Sequence, residues 1–163
     1  MLREKLRAFL ERLLEEVKHH YGGRLVSLVV FGSVGRGTAR FDSDVDLLVV
    51  AEGLPPRRLK RMEDFEEIER ALEKDLRELA ECGIHTSLSP IIKTKEEVKR
   101  GSPLFLDMIE DGLLLYDRDD FFRSFLEGFA QRLEALGALR VRKGNSWYWV
   151  LKGDYRGNEV FEL

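Results

Sequence analysis

The chain has 163 residues, a net charge of −3 and 44% hydrophobic residues, ten of them phenylalanines, enough for one substantial core and short for two. A lone cysteine, Cys82, excludes an internal disulfide and a multi-cysteine zinc site, and the mild acidity argues against a basic nucleic-acid coat. No run reaches the roughly 18 apolar residues of a membrane span, and the charged N-terminus lacks a signal-peptide core, so a soluble, reducing, cytoplasmic setting is expected.

Leu2, Leu6, Phe9, Leu10, Leu13, Leu14 and Val17 recur at intervals of three and four, which predicts an amphipathic helix over residues 2–20, stopped by "YGG". "RLVSLVVFG" reads as a buried strand, "SVGRGTARFDS" as a link, and "DVDLLVVA" as a second strand. After the loop "EGLPP" the pattern predicts one long charged helix from Arg57 to Glu81. "IHTSLSPIIKT" reads as a third strand whose proline places it near an edge or bulge.

Short helices follow in "KEEVKRG" and "SPLFLDMIEDG", then a fourth strand "LLLYD" and an amphipathic helix in "RDDFFRSFLEGFAQRLEALG". The tail predicts a hairpin, "LRVRK" and "SWYWVLK" around "GN", and a terminal extended piece. Strands alternating with helices indicate an α/β (α+β) fold, a mixed sheet flanked by helices, with residues 1–117 as its main domain and 118–163 as a C-terminal helix and hairpin packed on it. The 35% charged content, nearly free of Gln and Asn, is the pattern of thermophile surfaces.

The glycine-rich link carries the chemistry. A Walker A loop fails, because Thr38 stands where its lysine belongs and Ala39 where its hydroxyl belongs. A dinucleotide fingerprint fails as well, with Arg40 in place of its third glycine. The link instead forms one unit with Asp44 and Asp46. Residues two apart on a strand point to one face, so the two carboxylates project together and repel unless a cation joins them. Oxygen ligands without a nearby His or Cys favour a hard ion, Mg²⁺ or Mn²⁺. Gly32, Gly35 and Gly37 let the backbone approach a phosphate, Ser33 adds a hydroxyl donor, and Arg36 and Arg40 supply positive charge.

The stretch "FGSVGRGTARFDSDVDLLVV" closely resembles the nucleotidyltransferase superfamily of DNA polymerase β, and its minimal nucleotidyltransferase (MNT) branch in particular. The resemblance rests on Gly-Ser after a strand, Arg-Gly in the turn and Ser-Asp-x-Asp-Leu opening the next strand, and it covers about Tyr21 to Asp117. It implies Mg²⁺-dependent transfer of a nucleoside monophosphate, most simply AMP from ATP, to an acceptor hydroxyl with pyrophosphate leaving. In that reading Gly32 and Ser33 hold the β- and γ-phosphates, and Asp44 and Asp46 ligate metal and carry catalysis. The branch also implies a partner, a helical HEPN-type protein in toxin–antitoxin pairs whose transferase adenylylates it. A homodimer is open as well.

The pattern breaks on the third strand. The family places a third carboxylate there, whereas "IHTSLSPIIKT" offers His85, Thr86, Ser87 and Ser89. His85 could substitute as base, Asp107 or Asp111 could reach in from a neighbouring helix, or the protein could bind nucleotide or a partner without turnover. Two other clusters have plain structural readings beside functional ones. "RRLKR", Arg57 to Arg61, reads as a solvated helical face, with an anionic partner as the alternative. "SWYW" with Arg140, Arg142, Lys143 and Lys152 reads as hairpin packing, with single-stranded RNA as the alternative.

Overall fold

The apolar stripe of the first helix, α1 (Leu2–Tyr21), buries Leu6, Phe9, Leu10, Leu13, Val17 and Tyr21. In the computed structural model, which describes residues 1–143 and 146–150, that stripe lies on one face of a four-stranded sheet. The strands are β1 (Leu25–Phe31), β2 (Val45–Ala51), β3 (Leu88–Lys93) and β4 (Leu113–Asp117). Their order is β3-β2-β1-β4, with β1 antiparallel to both neighbours and β2 parallel to β3. The sheet is mixed, as expected, and Pro90 sits on the edge strand, where its missing N–H leaves no ladder bond unmade.

Both faces of the sheet are covered, which is why β1 and β2 are continuous apolar runs rather than alternating ones. Leu28, Val30, Leu47 and Val49 meet α1 together with Phe65, Ile68 and Leu72, while Val26, Val29, Leu48 and Val50 meet Phe105, Phe122, Phe129 and Leu133 on the opposite face. Each fully buried Leu or Phe is worth about 1.5–3 kcal/mol, so the central pair β1–β2, buried on both faces, is strongly held.

Three local expectations change. The long helix is two, α3 (Arg58–Ala71) and α4 (Glu73–Glu81), broken at Leu72, whose backbone leaves helical geometry at φ −96° and ψ 2°. No Gly or Pro marks the break. It keeps both Leu72 and Leu79 in the same core. The glycine link begins as a short helix, α2 (Gly32–Arg36), closed by Gly37 in the left-handed region at φ 75°. Arg61, expected on a solvated face, is 7% exposed. It donates to the Pro55 and Ile92 carbonyls and makes two bonds to Glu97, which leads α5 (Lys95–Lys99).

A 3₁₀ turn (Pro103–Leu106) and α6 (Met108–Asp111) lead into β4, and α7 (Phe121–Ala135) crosses the second face. The hairpin β5 (Leu139–Lys143) with β6 (Ser146–Val150) forms as expected. Trp149 packs against the second core while Tyr148 is exposed. The terminal extended piece and Lys152 lie outside the described residues.

Candidate active site

The β1–β2 ladder ends where Phe31 pairs with Asp46. Asp46 shares its parity with Leu48 and Val50, which are buried in the second core, so its carboxylate stands at the open mouth of that face, half-buried. Asp44 stands two residues earlier, exposed. Gly32 follows Phe31 directly and turns at φ 65°, and a Cβ there would overlap the Asp46 Oδ2. Only glycine lets α2 start against the carboxylate. Gly35 is equally confined, since its Cβ would lie 2.5 Å from the Asp111 carbonyl oxygen and 2.8 Å from that of Val30.

The turn that follows is tied to itself. The Ser33 carbonyl accepts from the Thr38 N–H at 2.9 Å, and the Arg40 N–H donates to the Ser43 hydroxyl at 2.8 Å. The first N–H groups of α2 have no intrahelical acceptor by geometry, and they open beside Asp46. Arg36, at the end of α2, lies 3.6 Å from Asp111. Arg40 extends into solvent, its side chain 84% exposed, with Asp42 at 3.9 Å.

The third strand approaches both acids with hydroxyls. Ser87 donates to Asp44 Oδ1 at 2.8 Å, and Ser89 is the register partner of Asp46 across β2–β3, with its hydroxyl on the side of the Asp46 carboxylate. Sequence reading noted these serines only as polar groups on that strand. Their two-residue spacing, matching that of Asp44 and Asp46, is the one signal the sequence carries, and the register itself comes from the fold. His85 lies before β3, exposed, with its backbone N–H on the Phe41 carbonyl at 2.7 Å. Asp107 is exposed, and Asp111 is bound to Arg140 at 2.7 Å.

Burial pushes the Asp46 carboxyl above its ordinary value and the Asp44 charge adds to this, while the Ser89 hydroxyl and Arg36 pull the other way. Two such carboxylates with hydroxyl neighbours form an all-oxygen donor set, and the penalty on ionised Asp46 is one that a hard dication would remove. The residues present therefore fit Mg²⁺ or Mn²⁺. Among the described residues no group of three or more His, Cys, Asp and Glu gathers as a metal site, so the pair stands without a third acid.

Residues 10–115, from the middle of α1 to β4, match the nucleotidyltransferase domain family. The Methanocaldococcus jannaschii protein named "Putative protein adenylyltransferase MJ1305" is 31% identical over 144 residues, covering 87% of this chain and 92% of that one. The crystal structure described as "the toxin-antitoxin with AMP-PNP" superposes with a TM-score of 0.51 at 18% identity, covering 77% of this chain and 90% of that one, a likeness of fold. The extent of the family match and the identity to the archaeal relative agree with the resemblance carried by Gly32–Asp46, and the chain belongs to the nucleotidyltransferase family.

Proposed function

We propose that this nucleotidyltransferase moves AMP from ATP to a hydroxyl side chain of a partner protein, with Mg²⁺ held by Asp44 and Asp46. The observation that carries the reading is the direct abutment of α2 on Asp46 at Gly32, which sets a phosphate-binding turn against a carboxylate pair. Gly32 and Ser33 present backbone N–H groups and a hydroxyl to the β- and γ-phosphates, Gly35 and Gly37 shape the turn, and Arg36 and Arg40 offset phosphate charge. The metal, when bound, neutralises the phosphate oxygens and the leaving pyrophosphate. Ser87 fixes the orientation of the Asp44 carboxylate, Ser89 lies in register beside Asp46, and His85 takes the proton of the acceptor hydroxyl in place of the absent third acid.

The name of the archaeal relative supports adenylyl transfer to protein, and the AMP-PNP of the superposed toxin–antitoxin structure supports an adenine nucleotide. A partner of the helical HEPN type follows from the sequence resemblance. An apolar groove of about 1040 Å³ runs beside α2 between Leu2, Leu6 and Leu10 of α1 and Leu113 of β4, on the α1 face of the sheet.

Calorimetric titration of ATP with and without Mg²⁺ tests the reading on the wild type and on Asp44→Asn/Asp46→Asn. Mg²⁺-dependent binding that the double variant loses supports it. Absence of binding by the wild type in both conditions would overturn it. Transfer is then read with α-labelled ATP, where label in a protein band and release of pyrophosphate are expected, and binding without label would mark a nucleotide-binding module instead.

A further inference from the structure

Arg140 lies on β5, outside the residues matched to the family, and its side chain is 8% exposed. It donates to Asp111 Oδ2 at 2.7 Å and Oδ1 at 3.4 Å, and to Glu110 at 2.6 Å. Asp111 is 12% exposed and has a second cation within ion-pair distance, Arg36 at 3.6 Å. Arg36 in turn ends α2, and its charge acts on Asp46. The hairpin that carries Arg140 is anchored separately, because Trp149, the register partner of Arg140, packs into the second core.

We infer that Arg140 is a positioning residue for nucleotidyl transfer: by occupying the Asp111 carboxylate it leaves the Arg36 guanidinium available to a triphosphate at α2. This rests on the α2 turn being the nucleotide site. A carboxylate so little exposed requires a counter-charge. With Arg140 present, one charge-assisted bond of 2.7 Å and a second of 3.4 Å supply it, and Arg36 stays at 3.6 Å. Without Arg140, Arg36 is the cation that closes on Asp111, and a guanidinium committed to a carboxylate no longer neutralises phosphate. Gly35 transmits the same dependence through the backbone, since it packs directly on the Asp111 carbonyl.

The experiment is calorimetric titration of Mg²⁺–ATP into the 163-residue chain and four variants, each checked for folding by thermal melting. Arg140→Met is expected to weaken ATP about tenfold. Arg140→Met with Asp111→Asn is expected to recover most of that loss, because the carboxylate that captures Arg36 is gone. In an Arg36→Met background, Arg140→Met is expected to change affinity less than twofold.

Wild type that binds ATP together with an Arg140→Met variant of equal affinity would overturn this inference alone. A loss that the double variant does not recover would overturn it too, showing that the hairpin only supports the fold. Wild type that binds no ATP would overturn the reading of the site and this inference with it. If Arg140→Met does not fold, the Arg140→Met/Asp111→Asn variant decides: affinity near that of the wild type supports the inference, and a tenfold loss overturns it.

Discussion

Asp46 and Ser89 face each other in register across the parallel pair β2–β3, so the serine hydroxyl lies beside the aspartate. This strand carries no Asp or Glu, and Ser89 offers a hydroxyl beside Asp46. Ser89→Asp adds a third charge, and at about 4 Å in high dielectric each new like-charge contact costs about 1 kcal/mol. The melting temperature in EDTA is expected to fall by about 3–5 °C, and Mg²⁺ is expected to restore it with a larger upward shift than it gives the wild type. A scanning-fluorimetry titration of Mg²⁺ on both proteins checks this. Equal shifts would show that position 89 does not reach the ion.

Asp46 also sets a pH dependence. Its carboxyl is raised in the folded chain, first by burial and then by Asp44, so the folded state holds that proton more tightly than the unfolded chain does. The associated stability is present below the ordinary carboxyl range near 4 and is lost as pH rises through the raised folded value. At pH 7 without divalent ions, Asp46→Asn is expected to melt about 1–3 °C higher than the wild type. The difference is expected to vanish by about pH 3. Addition of Mg²⁺ is expected to reverse the order, because only the wild type retains both ligands.

The three glycines of the Gly32–Gly37 turn separate by cause. A Cβ at Gly35 meets two backbone carbonyl oxygens, whereas one at Gly37 meets nothing within 4 Å and carries only the left-handed φ of 75°. Gly37→Ala is therefore expected to cost about 1 kcal/mol. Gly35→Ala is expected to cost about 2–4 kcal/mol, since backbone must shift. Gly32→Ala is expected to act on function most, because its Cβ displaces Asp46. Chemical denaturation ranks the first two, and Mg²⁺-dependent ATP binding reads the third.

How much of this was legible in the sequence depended on the range of the interaction. The strand pair around Gly32–Asp46 is local, with apolar runs and glycines that fix both strands and the turn, so the sheet, the site strand and the hairpin could be read directly. The bend at Leu72 could not, because no Gly, Pro or cap marks it and tertiary packing of Leu72 and Leu79 decides it. The pairing of Ser87 and Ser89 with the two aspartates needed the β2–β3 register, which joins residues 43 apart. Arg61 was misplaced for the same reason. Composition placed it with three exposed basic neighbours, Arg57, Arg58 and Lys60, and only the arrival of α5 supplies the carboxylate that buries it.

That buried pair gives the last prediction. Arg61 holds Glu97 through two bonds of 2.7 and 2.8 Å, and Glu97 also accepts the Thr94 N–H at 3.0 Å, closing the capping box of α5. The Arg61 guanidinium brings the Glu97 carboxyl down to about 2. Because the folded value lies below the ordinary one, this contribution is present above about pH 4.5 and is lost as pH falls toward 2. Glu97→Gln leaves the Arg61 charge without its counter-ion beside the Pro55 and Ile92 carbonyls, and is expected to cost about 2–3 kcal/mol at pH 7. Urea unfolding of wild type and variant at pH 7, 4 and 3 is expected to show the gap narrowing with acid. A gap independent of pH would mean that lost packing, rather than the charge pair, fastens α3 to α5.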